Sequence, residues 1–263
     1  LLNELQYYIT PPHDCSYLEK KSARMVFLDP VHRIDVVTLS ELSRMGFRRS
    51  GDFVYRPECH LCRQCLSSRV PVEDFVMSSK QKKAWKRNQD LSLKITRPED
   101  ATNLHYILYE RYINERHADG DMYPPSHDQF EKFLLQSCTD SFFLELWKED
   151  HLISVSTCDP LDDGLSAVYT FFDPDEHKRS LGVFAILKQI EHAKSLNLDY
   201  IYLGYWVPHS SKMNYKSEYI PLELLLDGQW RKLNRALTQS EIAQLGDSLM
   251  TTLPSGWNNP IIK

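Results

Sequence analysis

The sequence has no run of about 18 apolar residues, the length at which a segment becomes a candidate membrane-spanning helix. The segment LLNELQYYITPPHDC contains acidic and polar residues where a secretory signal needs a basic start and an apolar core. Neither a membrane span nor an export signal is therefore predicted from the pattern. We expect a cytoplasmic protein without a membrane partner.

Cysteine and basic charge are also scarce. Six cysteines in 263 residues are too few for a disulfide scaffold, and clustered thiols in a reducing compartment indicate a metal site or a reactive group. Lys and Arg number 31 against 36 Asp and Glu, so the average charge does not indicate nucleic-acid binding, although an acidic average can still contain a basic face. The composition is otherwise that of a folded protein with one large or two small domains.

Hydrophobic periodicity becomes readable from residue 91 onward. LSLKIT alternates as a strand does and precedes a helix, and the capping box of Ser126 and Gln129 predicts the start of a second helix. Three strands follow (SFFLELW, LISVSTCD and LSAVYTFF), then a helix and a last strand, LDYIYLGYW. This order resembles the acyltransferase fold of the GNAT superfamily. We predict an α/β (α+β) fold with a GNAT-like domain at 91–263, including a C-terminal tail, and a smaller cysteine-containing domain at 1–90.

The segment RSLGVFA lies where GNAT acetyltransferases have the turn that binds the pyrophosphate of coenzyme A. Arg179 and Gly182 fit that pattern, but Phe184 stands where a small residue lets the phosphate approach. A bulky ring at this position argues against ordinary acetyl-CoA binding. Close packing of the helix on the sheet explains Gly182 equally well.

Three other segments have compositions that binding sites use. In SSKQKKAWKRNQDL, basic residues surround Trp85, which suits phosphate contacts and base stacking but also suits an ordinary solvated helix face. The segment from Tyr202 to Trp230 is dense in tyrosine, which is typical of a ligand pocket and also of a core. ECHLCRQC has three cysteines, whereas a structural zinc site needs four ligands.

Five segments together are similar to the aminoacyl-tRNA–protein transferase family, above all to its bacterial leucyltransferase branch. They are CSYL, YRPECHLCRQCLSSRVPVEDF, SSKQKKAWKRNQDL, VYTFFDPDEHKRSLGVFAI and YLGYWVPHSSKMNYKSEYIPLEL. The resemblance implies transfer of leucine from leucyl-tRNA to proteins whose N-terminal residue is Asp or Glu, which marks them for degradation through the N-degron pathway. A donor carried by tRNA does not need the pyrophosphate turn, so Phe184 is then no obstacle.

Under this resemblance, candidate roles follow for four groups of residues. For catalysis we expect Asp173 or Asp175 to orient or deprotonate the acceptor amine, with helix capping as the alternative, and we add Tyr205. The candidates for binding the acceptor carboxylate are the cations Arg48, Arg49, Arg69, Lys212 and Lys216. The candidates for the donor pocket are Tyr169, Phe171, Leu181, Gly182, Trp206, Tyr215 and Tyr219. The candidates for tRNA contact are Lys80, Lys82, Lys83, Trp85, Lys86, Arg87, Lys178 and Arg179.

The expected reaction requires no cofactor, yet the resemblance groups Cys15 with Cys59, Cys62 and Cys65. These four thiols are candidates for a zinc site or an iron–sulfur cluster, with His60 as a spare ligand, and free thiols packed in the N-terminal domain are the alternative. Two other functions compete with leucyl transfer. One is a small-molecule N-acetyltransferase that uses coenzyme A, and the other is a tRNA-binding module without catalysis.

Overall fold

The computed structural model describes residues 5–29 and 34–251; the tail that ends in PSGWNNPIIK lies outside them. The strands are β1 (Tyr7–Ile9), β2 (His13–Asp14), β3 (Ser22–Ala23), β4 (Met25–Leu28), β5 (Arg48–Ser50), β6 (Phe53–Pro57), β7 (Leu66–Pro71), β8 (Ser92–Thr96), β9 (Phe142–Lys148), β10 (His151–Pro160), β11 (Gly164–Phe172), β12 (Tyr200–Trp206), β13 (Leu222–Leu226) and β14 (Gln229–Leu233). The helices are α1 (Val36–Arg44), α2 (Ser79–Arg87), α3 (Asn103–Arg116), α4 (His127–Phe130), α5 (Leu181–Ser195) and α6 (Gln239–Thr251).

An eight-stranded sheet is the largest element of the fold, in the order β14-β13-β7-β12-β11-β10-β9-β8. The strands β11 and β12 are parallel, and the other described pairs of this sheet are antiparallel. The N-terminal part of the chain adds a four-stranded sheet, β1-β4-β6-β5, and the small pair β2-β3. The fold is therefore mixed α/β with a large mixed sheet.

The two faces of the large sheet are covered by different helices. Phe143, Val155 and Phe171 point to one face, where they pack with residues of α3 and α4. Leu165 and Ile201 belong to the core that α5 covers. Leu165 and Phe171 are six positions apart and would share a face in a regular strand, but a bulge in β11 between Ala167 and Tyr169 reverses the alternation, so β11 contributes to both cores.

The elements predicted between residues 91 and 206 are confirmed as β8, α3, β9, β10, β11, α5 and β12. The cap at Ser126 is confirmed as well, since its hydroxyl accepts a hydrogen bond from the amide of Gln129 at 3.2 Å. The helix that it starts is short, because α4 passes into a π-helical turn at Glu131–Leu135. Within the part of the chain that the structure describes, no helix is long and apolar enough to cross a membrane.

The division of the chain at residue 90 stays a prediction. The strand β7 comes before that residue and lies between β12 and β13 inside the large sheet. The hairpin β13–β14 was not predicted, because the apolar run LELLL does not alternate. Its turn contains Asp227 and Gly228, both at positive φ, and an Asp-Gly pair is a strong sequence signal for such a turn.

Candidate active site

The two parallel strands separate in the middle of the large sheet. They pair at Gly164–Ser166 with Tyr200–Tyr202, and no further pairing of β11 with β12 follows. The next residues of β11, from Ala167 to Thr170, are only half-buried although the strand is central. The separation therefore opens a cleft in the sheet, which we call the β11–β12 cleft.

Arg48 extends from β5 into the β11–β12 cleft and joins its two strands. Its Nη2 donates to the carbonyl of Ala167 at 2.6 Å, and its Nη1 donates to the carbonyl of Tyr202 at 3.3 Å. The side chain is buried, and Gly204 lies against it with φ of +80°. The arginine is thus held by backbone oxygens of both parallel strands.

Lys216 lies close enough to Arg48 for their charges to interact, and it is buried too, with only 6% of its surface exposed. Its Nζ donates to the carbonyl of Tyr205 at 2.6 Å. Burial, together with the nearby Arg48 cation, lowers the pKa of Lys216 to about 7. Among the described residues, no carboxylate lies within ion-pair distance of either side chain, so the pair presents positive charge that no acid neutralises.

The other three predicted acceptor cations already have carboxylate partners. Arg49 forms a buried, bidentate ion pair with Asp159 at 2.7 and 2.8 Å. Arg69 donates to Glu223 at 2.8 Å and lies between two aromatic rings. Lys212 is exposed and pairs with Asp119 at 2.7 Å. The structure therefore brings together only Arg48 and Lys216 of the five.

The predicted catalytic residues are tied to the surrounding backbone or to an arginine. The Oδ1 of Asp173 accepts from the amide of Asp175 at 3.0 Å, which is the capping role named as the alternative. Arg111 pairs with both acids, at 3.2 Å and 2.7 Å. The hydroxyl of Tyr205 donates to the carbonyls of Gly46 and Tyr55, and burial raises its pKa. Catalytic roles for these three residues stay predictions.

The seven predicted donor-pocket residues do not form one pocket. Trp206 and Tyr219 are buried in the core under α5, and Phe171 is buried in the core under α3. Leu181 is buried too, and Gly182 lies next to Phe172. Tyr169, Gly182 and Tyr215 keep accessible surface, so they are the members of the set that a donor can still reach.

Sequence reasoning missed the residues that surround Tyr169. Its ring lies 5.1 Å from Phe133 and 6.5 Å from Tyr112. Burial raises the pKa of Tyr112 to about 12, and the Tyr215 hydroxyl adds to this shift, which places Tyr215 near the same group. The hydroxyl of Tyr112 also makes a 3.0 Å hydrogen bond with His117. These aromatic residues are far apart in the sequence, so residue spacing gave no signal for the group.

The argument from Phe184 against a phosphate turn is wrong. Phe184 is buried, and its ring packs on Trp85 at 5.5 Å in the contact between α2 and α5. The ring therefore does not stand over the start of α5. Trp85 is likewise held by Phe184 and by Lys188, whose Nζ lies 5.1 Å from the indole ring, so it packs between helices instead of presenting its face for base stacking.

The basic segment forms α2 as a solvated, amphipathic helix. Lys82, Lys83 and Lys86 are exposed, and no ion pair involves them among the described residues. Lys80 pairs with Glu218 at 2.8 Å. Of the remaining candidates, Lys178 is exposed, Arg87 donates to the carbonyl of Lys178, and Arg179 pairs with Asp90 and Glu176. The three free lysines give α2 a local positive face in an acidic protein.

The four predicted metal-binding cysteines line one cavity of about 200 Å³. Nevertheless, among the residues that the structure describes, no group of three or more His, Cys, Asp or Glu side chains is arranged to hold a metal ion. The predicted metal site is therefore wrong for this arrangement, and the alternative of free thiols describes it.

The sequence matches two family models, one for the N terminus of arginine-tRNA-protein transferase at residues 13–83 and one for its C terminus at residues 104–226. It is 81% identical to the aspartate/glutamate leucyltransferase of Acinetobacter baylyi, over 100% of this chain and 97% of that protein. It is 49% identical to the protein of the same name from Pseudomonas putida, over 89% and 99%. Among solved structures, it is similar to that of FemX at a TM-score of 0.46 and 7% identity, over 92% of this chain and 90% of that one.

Proposed function

The chain belongs to the arginine-tRNA-protein transferase family, in its bacterial leucyltransferase branch, and we propose that it transfers leucine from leucyl-tRNA to proteins that begin with Asp or Glu. The modification marks those proteins for degradation. One observation of the structure carries the acceptor part of this proposal: two buried cations, Arg48 and Lys216, lie together without a carboxylate partner. A buried cation needs an anion, and the acceptor side chain supplies one.

The acceptor carboxylate then binds to Arg48 and Lys216. Arg48 already uses two of its donor groups on the carbonyls of Ala167 and Tyr202, and its guanidinium has five N–H groups in all. The remaining donors are free to form charge-assisted hydrogen bonds to a carboxylate. An uncharged acceptor leaves both cations buried and unpaired, which explains discrimination against other N-terminal residues.

The donor ester lies, in this proposal, in the β11–β12 cleft beside Tyr169 and Tyr215. This placement is GNAT-like, and the half-buried stretch of β11 supports it. The acceptor amine nitrogen bonds to the leucyl carbonyl carbon, the bond to the ribose oxygen breaks, and that oxygen takes up a proton. An α-amino group has a pKa of about 7.7–8.0, so part of it is already neutral and no strong base is required. Positioning of the two substrates supplies much of the rate.

The positive face of α2, formed by Lys82, Lys83 and Lys86, is proposed to contact the tRNA backbone. Phosphate neutralisation by lysine gives affinity without reading sequence. Trp85 is left out of this interface because it packs against Phe184. The cytoplasmic location expected from the sequence stays a prediction.

The test is a transfer assay with labelled leucyl-tRNA and peptides that begin with Asp, Glu or Ala, run in parallel with labelled acetyl-CoA. We expect label from leucyl-tRNA in the Asp and Glu peptides. Lys216→Met should lower the preference for Asp over Ala by about 10- to 100-fold, the worth of a lost charged hydrogen bond. Lys212→Met is the matched control, because Lys212 lies in the same segment but pairs with Asp119 at the surface.

Two outcomes contradict the proposal. Label transferred only from acetyl-CoA supports the N-acetyltransferase, and no transfer from either donor supports the non-catalytic tRNA-binding module. An unchanged preference in Lys216→Met, with transfer intact, removes Lys216 from acceptor recognition.

A further inference from the structure

A second, wider opening lies next to the β11–β12 cleft. It is a groove of about 1140 Å³, and we call it the side groove. Its walls are the β5–β6 turn at residues 50–53, residues 97–99 and the segment 128–141. Pockets for drug-sized ligands have about 300–1,000 Å³, so the side groove exceeds what a small substrate needs. Its size suits an extended segment of polypeptide.

The side groove carries an excess of acidic residues. Among the residues that the structure describes, its charged lining consists of Asp52, Arg97, Glu99, Asp128, Lys132 and Asp140, which is four acids against two bases, and Asp140 has an interaction partner of its own. Both bases pair with acids of the same groove, Arg97 with Glu99 at 3.8 Å and Lys132 with Asp128 at 2.8 Å. An acidic lining repels phosphate groups, so the acceptor stem of a tRNA does not fit here.

The floor of the side groove is polar. The hydroxyl of Ser141 donates to Asp159 at 2.6 Å, and Asp159 forms the buried ion pair with Arg49. The hydroxyl of Thr139 is buried and has no hydrogen-bond partner, although it belongs to the lining.

The side groove is continuous with the β11–β12 cleft. Phe133 lines the groove, and its ring contacts Tyr169, which is half-buried in the open stretch of β11. The strand β5 makes the same connection, since Arg48 points into the cleft while the next residue, Arg49, joins the floor of the groove. A chain whose first residue lies at Arg48 can therefore continue into the groove.

We propose that the side groove binds the acceptor polypeptide at the residues that follow its N-terminal Asp or Glu. The proposal rests on the leucyl-transfer function given above, and it adds a preference within that function. The acidic lining favours acceptors with Lys or Arg at these positions and disfavours acceptors with Asp or Glu there. Selection then depends on a short segment as well as on the first residue.

The test uses the full chain, labelled leucyl-tRNA and two peptides that begin with Asp-Ala, one followed by lysines and one by glutamates. We expect a higher kcat/KM for the lysine peptide. Asp52→Lys should lower the ratio of the two kcat/KM values by about two- to fivefold, the size of one exposed charge interaction, because it replaces an acid of the groove with a base. Glu99→Lys is a second variant with the same expectation.

Asp150→Lys is the matched control. Asp150 is exposed in the turn between β9 and β10 and does not line the groove, so its variant should keep the wild-type ratio. Equal use of the two peptides by the wild type overturns the proposal. An equal change of the kcat/KM ratio in Asp52→Lys and Asp150→Lys also overturns it. A lower KM for leucyl-tRNA in Asp52→Lys, with the kcat/KM ratio unchanged, overturns it as well, because that result assigns the groove to tRNA. Absence of transfer to every peptide is different, because it contradicts the leucyl-transfer function itself.

Discussion

The guanidinium of Arg48 occupies the space that a side chain at Gly204 would fill. A Cβ built on Gly204 would lie 3.2 Å from both Nε and Nη2 of Arg48, which is tighter than ordinary side-chain contacts. The glycine also has a φ of +80°, in the region that residues with a Cβ rarely adopt. The missing side chain and the two strand carbonyls together fix where the arginine charge lies.

Gly204→Ala should therefore damage both stability and acceptor recognition. The left-handed backbone costs about 1–2 kcal/mol for a residue with a Cβ. The new methyl group also displaces Arg48, so kcat/KM for a peptide that begins with Asp should fall more than kcat/KM for one that begins with Ala. Urea denaturation measures the first effect and the transfer assay measures the second.

Gly228→Ala separates the two effects. Gly228 has a similar φ of +74°, and nothing lies within 4 Å of a Cβ built there. Its variant should lose comparable stability and keep the preference for Asp over Ala. If both variants lose that preference equally, backbone strain and not displacement of Arg48 is the cause.

Recognition of the acceptor should weaken as pH rises through about 7. The pKa of Lys216 is lowered to about 7, so the side chain is charged below this pH and neutral above it. Only the charged form attracts a carboxylate. The ratio of kcat/KM for Asp and Ala peptides should therefore fall between pH 6 and about 8, and taking the ratio cancels the titration of the acceptor amine, which both peptides share.

The titration of Lys216 also predicts how the free energy of unfolding changes with pH. In the unfolded chain Lys216 keeps its proton up to its usual pKa of 10.5, whereas the folded protein releases it near 7. Between these values the unfolded state binds more protons, so the free energy of unfolding gains a contribution that rises with pH. Lys216→Met should flatten both this rise and the pH dependence of the peptide ratio. A variant that keeps the wild-type pH dependence shows that another group titrates.

Local sequence signals predicted the local features of this fold. The helix cap at Ser126 and the apolar spacing of α5 each depend on residues within about two helical turns, and both are confirmed. The pi-helical end of the second helix and the direction of Phe184 depend on what packs against them. Phe184 faces Trp85 from a distant part of the chain, so spacing alone could not show that its ring turns away from the start of α5.

The candidate site was harder to predict because it depends on partners that are far apart in sequence. Five cations fitted an acceptor carboxylate equally well, and the structure separates them by their ion pairs. Asp159 is 110 positions from Arg49, and Glu223 is 154 positions from Arg69. The resemblance to a known family grouped Cys15 with the cysteine run correctly, yet the shared cavity lacks the geometry of a metal site.

Asp159→Ala should be one of the most destabilising single changes. The side chains of Asp159 and Arg49 each expose only 1% of their surface, and they form two hydrogen bonds with each other. Removal of the acid leaves an uncompensated buried guanidinium, which costs about 3–5 kcal/mol. Urea denaturation of the double variant Arg49→Met, Asp159→Leu is the control, since it removes both charges and should recover much of the loss. A single variant as stable as the wild type contradicts the prediction.

Binding of leucyl-tRNA should depend on the exposed lysines of α2. Each lysine that neutralises a phosphate releases counterions, so Lys83→Ala should weaken binding and lower the slope of log affinity against log salt by about 0.7–0.9. Lys20→Ala is the control, because Lys20 is also exposed but lies in the turn between β2 and β3, outside α2. Filter binding of labelled leucyl-tRNA over a series of salt concentrations gives the slope of log affinity against log salt for each protein. Lys80→Ala should have a smaller effect than Lys83→Ala, since Lys80 already pairs with Glu218. Equal slopes for all four proteins would mean that the tRNA backbone follows a different face of the molecule.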